Sequence, residues 1–183
     1  TGKTTFLRAF AKQLTSEGEL TAVYASCEAA SAFEDEIVAA QAVLVRSLQS
    51  EATTQLPVEL QPTDFDGRVP EARLAELLEH WCAHSPRPIV LLLDEIDALR
   101  GQSLISVLRQ LRAGYPERPG RAPWSVALCG LRDVRDYKAA SGGDPERLGT
   151  ASPFNVKLES LRLGDFADDD VRALLGQHTE ATG

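Results

Sequence analysis

The chain has 183 residues, 43% of them hydrophobic, and a net charge of -8 spread along it rather than gathered in blocks. That is enough for one domain with a real core, and the acidic balance argues against a nucleic-acid surface as the main feature of this portion, because such surfaces are basic. No apolar run is long enough to cross a bilayer, and the widely separated Cys27, Cys82 and Cys129, which form no CxxC pair, read as thiols of a reducing, cytoplasmic compartment.

Lys3 to about Gly18 reads as a helix, with Phe6, Leu7, Phe10, Ala11 and Leu14 at helical spacing and Gly18 as its stop. Leu20–Ser26 reads as a strand that ends in Cys27 and Glu28. From Ser31 to about Ser50 the pattern predicts a long helix, capped by Ser31 with Glu34 as its partner and burying Phe33, Ile37, Leu44 and Leu48. Residues 51–69 carry the least structural signal, with Pro57, Pro62 and the turn Asp64-Phe65-Asp66-Gly67. They read as a surface loop or, with Phe65 exposed, as a partner-contact insertion. Pro70 opens a helix striped by Leu74, Leu77, Leu78 and Trp81. His80 and His84 lie one helical turn apart, a spacing open to a metal but also ordinary for solvated helix residues.

Ile89 to Leu93 is an unbroken aliphatic run ending in Asp94 and Glu95, and it predicts a parallel strand buried on both faces. Its carboxylates then fall at the strand's C-terminal end, where open α/β sheets hold their ligands. Residues 102–113 read as a helix with Leu104, Leu108 and Leu111 aligned, residues 114–123 as a Pro/Gly/Arg-rich loop, and Trp124–Cys129 as a strand closed by Gly130. Leu131–Lys138 alternates Arg132, Asp133, Arg135 and Asp136; residues 141–153 read as a flexible loop and Asn155–Leu158 as a short strand. Asp165-Phe166 leads to a last helix that opens on Asp168-Asp169-Asp170 and turns Val171, Leu174 and Leu175 inward. The helix dipole is sufficient cause for that acidic turn. Helices alternating with strands in this way predict an α/β three-layer sandwich around a parallel central sheet.

Thr1-Gly2-Lys3-Thr4, followed by Thr5, matches the end of the phosphate-binding loop, whose pattern is glycine, four variable residues, then Gly-Lys-Thr/Ser. The chain is therefore read as a fragment that starts inside this motif, with the N-terminal strand and a complete lid missing. Phosphoryl transfer to water needs charge at the phosphates, a divalent cation and an oriented water. Lys3 supplies a positive charge for the outer phosphates, Thr4 a hydroxyl and Asp94 a carboxylate for magnesium, and Glu95 a group to polarise the water. Arg132 and Arg135 are candidates for a charge-stabilising arginine, or pair with Asp133 and Asp136 on a surface helix. Glu28 is a candidate for coupling the site to a partner, and Asp97 reads as a turn or helix-start residue.

Gly2-Lys3-Thr4-Thr5 and Leu91-Leu92-Leu93-Asp94-Glu95-Ile96-Asp97 resemble the Walker A and Walker B motifs of P-loop ATPases. The glutamate after the Walker B aspartate resembles the additional-strand group, which includes AAA+ and signal-transduction (STAND) ATPases. Ser152-Pro153-Phe154-Asn155-Val156 and Leu161 to Phe166 are similar to AAA-like proteins near the STAND and origin-recognition branches. The resemblance implies a P-loop NTPase fold with the Walker B strand beside the phosphate-loop strand, a core over residues 1–163 and the start of a helical lid over 164–183. It implies ATP with Mg2+ as cofactors, Gly2, Lys3, Thr4, Thr5 and Asp94 around the nucleotide, Thr4 and Asp94 at the metal, and Glu95 as the water-activating residue. The activity implied is slow ATP hydrolysis driving a conformational or assembly change, with the isolated fragment inactive. The alternatives are a STAND-like nucleotide switch with little turnover, or a DNA-associated AAA-like ATPase. Implied partners are ATP/ADP, a homo-oligomer, and a protein or nucleic acid reached through other regions, with no membrane. The sequence departs from the family at Cys129-Gly130, where a polar sensor side chain is expected.

Overall fold

The computed structural model describes residues 2–63, 65, 67–131, 164 and 167–182. Its ordered elements are α1 (Lys3–Ser16), β1 (Thr21–Ser26), α2 (Ile37–Gln55), α3 (Arg73–His84), β2 (Ile89–Asp94), α4 (Gly101–Ala113), β3 (Ser125–Leu128) and α5 (Asp168–Thr182), with short 3-10 turns between them. The strands form one parallel sheet in the order β1-β2-β3, with Ser26 opposite Asp94 and Leu93 opposite Leu128. Among the described residues no helix is long and apolar enough to cross a membrane.

Strand alternation sorts the sheet into two faces. Val23, Ala25, Ile89, Leu91 and Leu93 join the larger core with α2, α3 and α4, while Ala22, Tyr24, Val90 and Leu92 pack against Leu7 and Ala11 of α1. This is the three-layer arrangement expected of the alternating pattern. Both faces are covered, so β2 is buried along its whole length and needs no polar alternation.

The neighbours of β2 differ from the expectation. β2 pairs with β1 on one edge and β3 on the other, so no edge remains for a phosphate-loop strand directly beside it. The physical reason lies in the crossovers: α2, α3 and α4 all pack on one face, and successive right-handed connections on one face advance the sheet in a single direction.

Other boundaries moved as well. The helix expected from Ser31 begins at Ile37, has no side-chain cap, and runs on to Gln55 through part of the segment read as least structured. Residues 33–35 hold another helix in place: Ser103 N donates to the Glu34 carbonyl at 3.0 Å, Ser103 Oγ to the Phe33 carbonyl at 2.6 Å, and Gln102 N to Asp35 Oδ1 at 3.0 Å. Leu48, Ala52 and Leu56 extend the buried stripe of α2, and Pro57 ends it by holding Leu56 extended. Phe65 packs on the core and against the His80 ring, so it is not the exposed side chain that the partner-contact alternative called for. Phe6 and Phe10 are 57% and 37% exposed, so the buried stripe of α1 is narrower than its apolar pattern. Val171 and Leu175 of α5, expected inward, are 42% and 59% exposed. Asp170 gives the start of α5 a structural role, its carboxylate accepting from Ala167 N at 3.0 Å. The strand expected at Asn155–Leu158, the loop at 141–153, and Arg132 to Lys138 lie outside the described residues.

Among the described residues the outer edge of β1 is closed by side chains and not by a strand. Gln55 accepts from Tyr24 N at 3.0 Å and donates to the Tyr24 carbonyl at 2.9 Å; Thr15 does the same for Ala22 at 3.0 and 3.2 Å. An edge satisfied in this way offers little to a foreign strand.

Candidate functional site

The candidate side chains on described residues gather where the N-terminus of α1 meets the C-terminal ends of the strands. Gly2 occupies the N-cap position in a left-handed conformation (φ 64°, ψ 1°), with no side chain capping the helix. The first bond of the helix runs from Phe6 N to the Gly2 carbonyl at 2.9 Å. The N–H groups of Lys3, Thr4 and Thr5 precede it and have no partner within the helix. Together with the positive end of the dipole they form a surface suited to an anion. Thr5 is exposed in this first turn.

Thr4 and Asp94 are ninety residues apart in sequence and in direct contact here: Thr4 Oγ1 donates to Asp94 Oδ2 at 2.8 Å. Asp94 is 2% exposed. Its other oxygen, Oδ1, accepts from Glu95 N at 3.0 Å, and Tyr24 Oη lies 3.4 Å from Oδ2. Tyr24 and Asp94 share the α1 face of the sheet because β1 and β2 are in parallel register with Ser26 opposite Asp94. Burial, then the Asp94 carboxylate, raises the Tyr24 phenol above its ordinary value of 10.0, with Thr4 and Arg8 pulling it back.

Glu95 breaks the strand. Its backbone is left-handed (φ 54°, ψ 40°), a conformation costing a non-glycine residue about 1–2 kcal/mol. Extended alternation would have turned its side chain with Leu93 into the large core. Instead its carboxylate accepts from Ser26 Oγ at 2.5 Å, and Ser26 Oγ in turn accepts from Glu28 N at 3.0 Å. Glu28 thus meets the site through its backbone, while its side chain is exposed.

Lys3 Nζ donates to the Gly130 carbonyl at 3.1 Å, just beyond β3. A Cβ at Gly130 would stand 2.8 Å from Asp97 Oδ1 and 3.1 Å from Ile96 Cγ2, so the Asp97 side chain fills the space where a polar strand-end residue would project. Asp97 itself belongs to the 3-10 turn Ile96–Ala98, in keeping with its reading as a turn residue. Arg132 and Arg135 lie outside the described residues.

A family model described as AAA domain matches residues 1–137, a stretch that takes in both the Gly2–Thr5 segment and Asp94-Glu95. The chain belongs to the AAA domain family. No curated protein matches the chain. Membership points to nucleotide binding, usually with Mg2+, and the chemistry of the residues fits: hard oxygen donors on Thr4 and Asp94, a primary amine on Lys3 and unpaired N–H groups at a helix start. Among the described residues of this AAA domain no group of three or more His, Cys, Asp or Glu side chains is placed to hold a metal, so the His80–His84 pair gains no third ligand. The groove lined by Leu78, Leu111, Ala122 and Val126 shares no residue with the site.

Tyr24, Ser26 and the Gly130 carbonyl were not singled out from the sequence. Ser26 was legible as the last polar residue of a strand; Tyr24 looked like any apolar strand residue, and a backbone carbonyl leaves no sequence signal.

The thiols of this AAA domain give a stability prediction. Cys27 is pushed up to about 12 by burial, and further by Asp94, Glu95 and Asp97, while burial alone raises Cys82 to about 12. In the unfolded chain both ionise near 9.0, so above that pH the unfolded state releases protons the native state keeps. Their contribution is therefore complete below pH 9 and declines between pH 9 and 12, by up to about 1.4 kcal/mol per pH unit for each thiol. Urea unfolding across this range should fall less steeply in Cys27→Ala and Cys82→Ala; equal slopes in all three proteins would disprove the assignment.

Proposed function

We propose that this AAA domain binds ATP with Mg2+ and hydrolyses it slowly, driving a conformational or assembly change. The observation that carries the reading is the contact between Thr4 and Asp94 at 2.8 Å, with Lys3 beside it at the end of β3. Magnesium, when bound, supplies charge neutralisation at the phosphates. Thr4 and Asp94 are the residues that would hold it, and Lys3 pairs with the outer phosphates through an amine now resting on a neutral carbonyl. Gly2 and Thr5 complete the cradle with backbone N–H groups. Glu95 is the base that orients and deprotonates the attacking water once its carboxylate leaves Ser26. Arg132 or Arg135 is the arginine that stabilises charge on the transferred group, in its own chain or a neighbouring copy. Residues 1–163 belong to the core of this ATPase and 164–183 to its lid.

A second reading, a STAND-like switch in which bound nucleotide sets assembly and turnover is incidental, is favoured by one contact. The Ser26 hydroxyl, 2.5 Å from Glu95, holds the base by a charge-assisted hydrogen bond that has to break before water can be activated.

Replacing Lys3 by alanine tests the reading. ATP affinity of the full-length protein, measured by calorimetry with magnesium present, should weaken at least about tenfold, as loss of one charged hydrogen bond implies. An unchanged affinity would remove residues 1–5 from the nucleotide site.

A further inference from the structure

Tyr24 belongs to a closed circuit of contacts that the nucleotide reading does not use. Its hydroxyl lies 3.4 Å from Asp94 Oδ2, and the Arg8 guanidinium sits 4.6 Å above the centre of its ring. Arg8 is ion-paired with Glu51 at 2.9 Å, and Glu51 accepts from Gln55 Nε2 at 2.6 Å. Gln55 closes the circuit by bonding both backbone groups of Tyr24. The residue is thus fixed through its backbone by α2 and through its ring by α1, with its one polar atom directed at a carboxylate that is 2% exposed. Tyr24 is itself 2% exposed, and a buried hydroxyl needs a partner; the one it has here is the Asp94 carboxylate, so ring and carboxylate are held together.

From this circuit we infer that Tyr24 is a positioning residue for Asp94, holding its metal-facing carboxylate in the rotamer that magnesium binding requires. The inference rests on the proposed nucleotide function and deepens it. Asp94 is approached by three donors from three places: Thr4 on α1, Tyr24 on β1, and the backbone N–H of Glu95. The first two share Oδ2. Removing the phenol leaves that oxygen with Thr4 alone and the carboxylate held at two points, Thr4 and the Glu95 N–H, instead of three. The Arg8 stack and the Gln55 bonds do not depend on the hydroxyl, so they persist in a phenylalanine variant. Arg8 acts one step further back, holding the ring that carries the hydroxyl.

The test is ATP affinity as a function of magnesium concentration in the full-length protein and in Tyr24→Phe, with melting temperatures recorded beside it. The expected result is a rise of roughly three- to tenfold in the magnesium concentration for half-maximal enhancement of ATP binding. Affinity without magnesium and the melting temperature should stay as in the parent. Arg8→Gln should shift the magnesium midpoint in the same direction and by less. Magnesium-dependent binding with the same midpoint in Tyr24→Phe overturns the role of Tyr24, whether or not the variant melts lower, and leaves the nucleotide reading standing. ATP binding by the parent that is indifferent to magnesium overturns both.

Discussion

Glu95→Gln is expected to lower ATP turnover of the full-length protein by at least about a hundredfold while leaving ATP affinity within about twofold, since general-base catalysis contributes roughly 10²–10⁴. The substitution keeps the shape of the side chain and leaves an oxygen to accept the 2.5 Å hydrogen bond from Ser26, so the fold and the left-handed turn at Glu95 are preserved. What is lost is the negative charge that draws a proton from water. Ser26→Ala is the informative companion, because it frees the same carboxylate without changing it. Faster turnover in Ser26→Ala than in the parent places the Ser26–Glu95 bond as a restraint on hydrolysis. Equal turnover in the parent and in Glu95→Gln would end the role of Glu95 as base; tight ATP binding with no turnover in either would favour the switch.

The second large effect concerns the loops that frame the site. Gly101→Ala is expected to destabilise the protein by about 2–3 kcal/mol, moving the urea midpoint down accordingly. Gly101 is left-handed at φ 51°, and a Cβ there would clash with Asp35 Oδ1 and stand 3.1 Å from the Glu34 carbonyl. Asp35 holds the N-terminus of α4 through its bond from Gln102 N at 3.0 Å, in place of the side-chain cap the helix itself lacks. Alanine therefore adds backbone strain and expels the carboxylate that satisfies the first turn. Asp35→Ala alone should cost about 1 kcal/mol. The double substitution should cost less than the sum, because removing the carboxylate also removes the clash. Full additivity, or an undamaged Gly101→Ala, would show that the two loops are not joined there.

That joint matters to function because of what it connects. Residues 33–35 follow Ser26 and Glu28, and residues 100–103 follow Asp94 and Glu95, so the loops leading away from the ends of β1 and β2 are tied to one another at Gln102 and Ser103. The movement of Glu95 off Ser26 that the proposed mechanism requires would take place within a frame that α4 and the loop before α2 hold together.

Sequence by itself determined the parts of this protein whose cause is local or compositional. Five aliphatic residues ending in Asp94-Glu95 required a strand buried on both faces with carboxylates at its end, since nothing polar interrupts the run and only a two-sided cover removes it from water. Gly2-Lys3-Thr4 before an apolar stripe required a helix with free N–H groups at its start, a surface suited to an anion, and glycine accepts the left-handed turn there at little cost. Tertiary structure alone decided the contacts between segments distant in sequence. α3 has no cap of its own; Gln41 and Gln110 supply it, accepting from Leu74 N and Ala75 N at 3.0 and 2.9 Å. The edge of β1 is closed by Thr15 and Gln55, the start of α4 by Asp35, and the oxygen of Asp94 by Thr4 and Tyr24. A glutamine or tyrosine bonds equally well to water, and its partner is chosen only when packing of α1, α2 and α4 on the two faces of the sheet removes water and leaves one acceptor or donor within reach. The left-handed turn at Glu95 has the same origin: a glutamate does not select that conformation by itself, and it is held here because Ser26 and the Asp94 carboxylate lie where β1 and β2 in parallel register put them.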